Sequence, residues 1–147
     1  MDTEYLSGNF WSARKIESSY LISIKDHANL REALTDFVVS QQIETAQIFG
    51  VVMIKGPLIR FKTPGSQKYF NIKMDTQKSE ASISGNIQST LAGPVFDLNV
   101  IIEDENNSSW TGHLNDAEVI NKGEFLLHPL SSRILYFRRK EDDFFLS

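Results

Sequence analysis

Three histidines, His27, His113 and His128, are the whole imidazole complement of this 147-residue chain, and it has no cysteine. None of them stands at the H-x-H or H-x-x-x-H spacing that brings two imidazoles onto one metal, so spacing alone marks no metal site. The missing thiols exclude a disulfide framework, a CxxC redox pair, a thiolate nucleophile, an iron–sulfur cluster and any Cys-based zinc site together. The most compact polar group is Asp97-Leu98-Asn99, where the period of two in a strand sets Asp97 and Asn99 side by side on one face. With the distant His113 they form an O, O, N set able to hold a small ligand or a divalent ion, with Glu118 as a further candidate. The competing reading is an Asp–Asn pair hydrogen-bonded within the fold. No G-x-S-x-G, P-loop or G-x-G-x-x-G occurs, and no serine is marked as partner to a histidine and an acid. Hydrolase and nucleotide chemistry therefore has no motif behind it, and no cofactor is expected.

The elements that must position these residues are mostly strands. One helix is clear: Asn29 is followed three residues on by Glu32, a capping-box pattern, and Leu30, Leu34, Phe37 and Val38 then recur at helical spacing. Alternating or β-rich runs predict strands at Tyr20–Lys25, Ala46–Lys55, Leu58–Thr63, Tyr69–Met74, Ser79–Gln88, Val95–Glu103, Ala117–Leu127 and Ser132–Arg139. Turn chemistry separates them at Gly56-Pro57, Pro64-Gly65-Ser66, Gly93-Pro94, Asn106 to Ser109 and His128-Pro129. Short connections favour antiparallel neighbours. The fold class is α+β, a mostly antiparallel, curled sheet of about seven strands with one main helix. Val95–Glu103 is nearly continuous in apolar residues, which predicts burial on both faces. One helix cannot cover two faces of a large sheet, so either the sheet curls into a barrel or another subunit covers the rest.

A chain of 147 residues with 41% hydrophobic and 23% charged residues is one globular domain, long enough to fold without staples. Its net charge of −4 argues against a surface attractive to phosphates everywhere, so any DNA contact must be a local patch. The candidates for such a patch are Arg133, Arg138, Arg139 and Lys140, near the C-terminus, where the following acids largely cancel the charge. The acidic start and the lack of an 18-residue apolar run point to a cytoplasmic protein without a membrane partner. Phe144, Phe145 and Leu146 are apolar enough to dock on the body or on a neighbouring subunit.

The order of these pieces resembles a known family. A strand YLISIK, a capped helix NLREALTDFVVSQQ, the segment Ile43–Val52, the strand ASISGNI (Ala81 to Ile87), then GPVFDLNVIIED and Gly112-His113-Leu114 are similar to the PPC (plant and prokaryote conserved) domain from about Ala13 to Phe137. The whole chain, 1–147, is then one PPC-like domain with a core of about 13–137 and a C-terminal tail, 138–147. The resemblance implies a homotrimer and a DNA-binding or transcription-regulatory interaction module, without catalysis, that binds DNA or a protein partner. Trp110 and the ASISGNI strand are candidate contacts. The AT-hook core R-G-R-P that reads DNA in plant members is absent. Some stand-alone members hold a metal through an H-x-H pair and the histidine of G-G-H; the matching positions here are Asp97, Asn99 and His113, with Thr111 in place of the first glycine. Two of three imidazoles are replaced, which implies at most weak divalent binding in place of tight zinc.

Overall fold

The computed structural model describes residues 3–62, 65–103, 106 and 108–130. Eight strands and one helix follow in the order β1 (Thr3–Ser7), β2 (Trp11–Ile16), β3 (Ser19–Ile24), α1 (Leu30–Ser40), β4 (Thr45–Lys62), β5 (Tyr69–Lys73), β6 (Ser79–Thr90), β7 (Gly93–Glu103) and β8 (Ser109–Pro129). All named pairings are antiparallel. The fold is α+β with a mostly antiparallel, curled sheet, as expected. Among the described residues no helix is long and apolar enough to cross a membrane.

The curl comes from two long strands. β8 pairs on one side with β4 and on the other with β7 and β3. β4 in turn pairs with β6, and β6 with β7. The ladder β8–β4–β6–β7–β8 thus closes on itself, and it sends one side of every strand inward. Ile48, Val52 and Ile54 of β4, Ala81, Ile83 and Ile87 of β6, Leu98, Val100 and Ile102 of β7, and Val119, Phe125 and Leu127 of β8 are all buried.

The helix forms where its cap and stripe place it. Asn29 accepts a hydrogen bond from the Glu32 backbone N–H through its side chain (2.9 Å), satisfying one of the four free N–H groups of the first turn. Leu30, Ala33, Leu34, Phe37 and Val38 point into the core. Trp11 and Tyr20 each meet the Phe37 ring edge-on at about 5 Å, and the Trp11 indole N–H donates to Asp36 at 2.7 Å. One aromatic cluster and one hydrogen bond therefore fix α1 to β2 and β3.

Several expectations are corrected. β7 is not buried on both faces: Leu98, Val100 and Ile102 are buried, whereas Val95 and Ile101 are half exposed, because strict alternation turns them outward. Gly56-Pro57 does not end a strand. Gly56 adopts a positive φ of 55° and the β4–β8 register shifts between Lys55 and Leu58, so the strand bends through an irregularity and continues. β8 begins at Ser109, ahead of the expected Ala117, and runs past His128. β1 and β2 were not legible, since β1 is almost wholly exposed and β2 buries only Trp11 and Ala13. The expected strand Ser132–Arg139, the tail 138–147 with Phe144 to Leu146, and the C-terminal boundary near 137 lie outside the described residues.

The glycine of ASISGNI has a specific task. Gly85 sits where β6 meets β7, and a Cβ there would run into the backbone carbonyl of Asp97. Gly85→Ala is expected to force the two strands apart and cost about 2 kcal/mol or more, read as a lowered midpoint in chemical denaturation with the same slope.

Candidate functional site

The face of the sheet opposite the core carries no helix among the described residues. Cross-strand register orders its outward residues into rows. One row runs Leu21, Leu126, Phe49, Ser84, Asn99, His113, and the next runs Ser23, Glu124, Val51, Ser82, Ile101, Thr111. Phe49, Val51, Ile101 and Leu126 are each about half exposed. Between them stand Ser82 and Ser84, and Glu124, paired with Lys122, lies beside Val51, so the middle of this face is apolar and small-polar with one charged pair at its side. A shallow depression of about 420 Å³ lies in it, lined by Gln47, Phe49, Ser84, Asn86, Leu126 and His128. Trp110, expected as a contact, pairs with Ile102 and so falls on the other side of the sheet.

Asp97, Asn99 and His113 do come together, at the edge of this face. Asn99 and His113 are direct cross-strand partners, and His113 Nδ1 lies 3.5 Å from Asp97 Oδ1. Both side chains are substantially exposed, 48% for His113 and 69% for Asp97. An exposed pair of this kind exchanges freely with water and contributes little to stability. As a metal site the trio supplies one imidazole, one carboxylate and an amide oxygen. Among the described residues no group of three His, Cys, Asp or Glu converges, and tetrahedral zinc takes three or four imidazole, thiolate or carboxylate ligands. The donor set does not fit tight zinc.

Glu118 does not join this trio. It hydrogen-bonds His27 Nδ1 at 3.0 Å, while Asp26 lies 3.4 Å from the other ring nitrogen. Nearby, Asp116 clamps the start of α1: it accepts from the Asn29 side chain at 2.7 Å and from the Arg31 backbone N–H at 3.2 Å. A carboxylate there is favoured by the free N–H groups and dipole of the helix N-terminus. This cluster borders an open cavity of about 670 Å³ lined by Asn29, Lys55, Lys73, Thr76, Asp116 and Glu118 among others. Sequence reasoning missed it because its members lie far apart in the chain and no spacing rule links His27 to Glu118. Arg133, Arg138, Arg139 and Lys140, the expected phosphate contacts, lie outside the described residues.

His27 has its pKa raised above its ordinary value of 6.5, first by the hydrogen bond its ring N–H donates to the Glu118 carboxylate, then by the charge of Asp26; burial and Lys55 act against this. A raised folded pKa means a stabilising contribution that is complete below about pH 6.5 and is lost as pH rises through the folded value. His27 also has a positive φ of 65°, which Asn tolerates. His27→Asn is therefore expected to lower Tm at about pH 5.5 and to leave it nearly unchanged at about pH 8, as measured by thermal melts at both values.

Comparison with known proteins places this arrangement. Among solved structures, a candidate DNA-binding protein from Bacteroides thetaiotaomicron is 27% identical, with 84% of this chain and 87% of that one covered and a TM-score of 0.77. A plant- and prokaryote-conserved (PPC) protein from Pyrococcus horikoshii is 23% identical, over 86% of this chain and 87% of that one, with a TM-score of 0.69. A metal-containing protein from Archaeoglobus fulgidus is 20% identical, over 89% and 86%, with a TM-score of 0.68. The latter two likenesses concern the fold alone. No curated protein matches the chain. The Plants and Prokaryotes Conserved (PCC) domain model matches residues 12–131, a span that includes the capped helix, the SGN strand and the closed ladder, and the chain belongs to that family.

Proposed function

We propose that this chain is a cytoplasmic, homotrimeric interaction module of regulatory type, without catalysis of its own, which binds DNA or a protein partner. The observation that carries the reading is the half-exposed patch of Phe49, Val51, Ile101 and Leu126, spread over two neighbouring rows on the outward face of the closed ladder. Interface cores are depleted in charge and tolerate small polar residues between apolar anchors, and Ser82, Ser84 and Asn86 have that character. A second copy supplies the apolar surface that one helix cannot. The DNA part of the reading is supported by the descriptions of the Bacteroides protein and of one from Ralstonia eutropha as candidate DNA-binding proteins.

A second reading draws on the Asp97–His113 approach and on the metal-containing relative from Archaeoglobus fulgidus. In it, the trio of Asp97, Asn99 and His113 holds a divalent ion or a small ligand at the margin of the subunit boundary.

Three measurements separate these. Light scattering on the purified chain is expected to give the mass of a trimer, and Phe49→Glu is expected to give a monomer with unchanged far-ultraviolet circular dichroism; a wild-type monomer overturns the reading. Fluorescence anisotropy with random duplex DNA at about 50 and 200 mM salt tests the DNA part, because phosphate-driven binding must weaken steeply across that range. In the second reading, Asp97→Ala abolishes calorimetric binding of a divalent cation and leaves the trimer intact. Loss of the trimer would instead make Asp97 structural.

A further inference from the structure

The hairpin of β4 and β5 carries a charge that the rest of the chain lacks. Residues 55–78 hold six of the 15 Lys and Arg, namely Lys55, Arg60, Lys62, Lys68, Lys73 and Lys78, against Asp75 as one of 19 acids. The whole chain is at −4, so this segment opposes its surroundings. Pairing of Leu58–Lys62 with Tyr69–Lys73 makes it a two-stranded ribbon. β5 is the last strand in the sheet order, and each of its residues is exposed.

The ribbon also presents flat rings. Tyr69 and Phe70 are 46% and 45% exposed. The Arg60 guanidinium lies over the Tyr69 ring at 4.0 Å, and Phe61 and Phe70 stack at 5.7 Å with 29° between their planes. By register, Arg60, Tyr69 and Asn71 share one face, and Phe61, Phe70 and Ile72 share the other. Lysines on an edge strand can simply guard against edge-to-edge pairing. Half-exposed aromatic rings do not serve that end, because they add the apolar surface that such pairing exploits.

We propose that this ribbon is a contact for single-stranded nucleic acid, with Lys68 and Lys73 on phosphates and Tyr69, on the face it shares with Arg60 and Asn71, stacking on a base. Cations following a backbone and rings accepting any base are the two parts of sequence-tolerant strand binding. Unpaired strands are favoured over duplex because the π-faces of paired bases are already covered. This deepens the nucleic-acid part of the function proposed above and rests on it.

The test uses the full-length chain and a fluorescent oligothymidine of about 20 nucleotides beside a duplex of equal length, at about 50 and 200 mM salt. The wild type is expected to bind oligothymidine more tightly than duplex, and to lose about tenfold or more in affinity at the higher salt. K68E/K73E is expected to lose about tenfold at the lower salt. Tyr69→Leu is expected to lose about fivefold with an unchanged salt slope. Both variants should keep the wild-type melting curve and oligomeric state. Oligothymidine binding unchanged in K68E/K73E, or a preference for duplex, overturns the proposal. Oligothymidine and duplex binding that both survive K68E/K73E leave the DNA reading standing and overturn the ribbon, whereas failure of both probes at the lower salt overturns both.

Discussion

The antiparallel pairing of β8 with β4 is the constraint on which the rest of the structure depends. Both strands are long, and both bend at irregularities: β4 at Gly56-Pro57, β8 near Asn121, which has a positive φ of 66° and donates its backbone N–H to Asp26 at 2.6 Å. A straight pair of this length would make a flat sheet with two faces to cover. Bent, the pair lets β6 and β7 close the ladder, so that one side of each strand is enclosed and a single helix seals the opening. The Asp116 clamp on the start of α1 belongs to the same bend, because Asp116 lies where β8 departs from regular register with β4.

That closure settles which side groups meet one another and which meet solvent. The inner side is aliphatic, with the Trp11, Tyr20 and Phe37 rings at the helix. The outer side separates into a mostly apolar and small-polar middle bordered by Glu124, a margin with Asp97, Asn99 and His113, and the basic ribbon of β4 and β5. Arg60, on that ribbon, is a register neighbour of His113. The apolar patch, the margin with Asp97, Asn99 and His113, and the ribbon are therefore adjoining parts of one surface. The cavity beside α1, lined by Asn29, Asp116 and Glu118, reaches the ribbon at Lys73.

Local signals made much of the fold legible in the sequence. Asn29 and Glu32 announced the helix start because capping chemistry is short-ranged, and period-two alternation found most strands because one side of each is buried. The failures have physical causes. Gly56-Pro57 reads as a turn in isolation, yet tertiary pairing on both sides of it holds the strand together. Val95–Glu103 looked two-sided because Val95 and Ile101 face outward despite being apolar, and only the register shows which side they take. Asp97, Asn99 and His113 are neighbours because the first two share a strand face and the third is a cross-strand partner. Glu118 was misgrouped because β8 changes register between it and His113. The ribbon's charge went unnoticed because its lysines are spread among apolar residues, although a local count over residues 55–78 against the chain average would have exposed it.

The long-range character of the β4–β8 ladder also governs how the chain comes to be folded. Ile48 finds Leu127, and Ile54 finds Val119, across about half of the chain, whereas β1–β2–β3 and β4–β5 pair locally. Local hairpins form within microseconds, while distant strand pairing bears a large loop-closure entropy and is slow. During synthesis, the apolar stripe of α1 and the inward side of β4 exist for some time before β8 does. Until the last described strand emerges, the growing chain offers its aliphatic interior to any other unfinished chain nearby, so its most hazardous interval is translation, when a partner strand is encoded but not yet made.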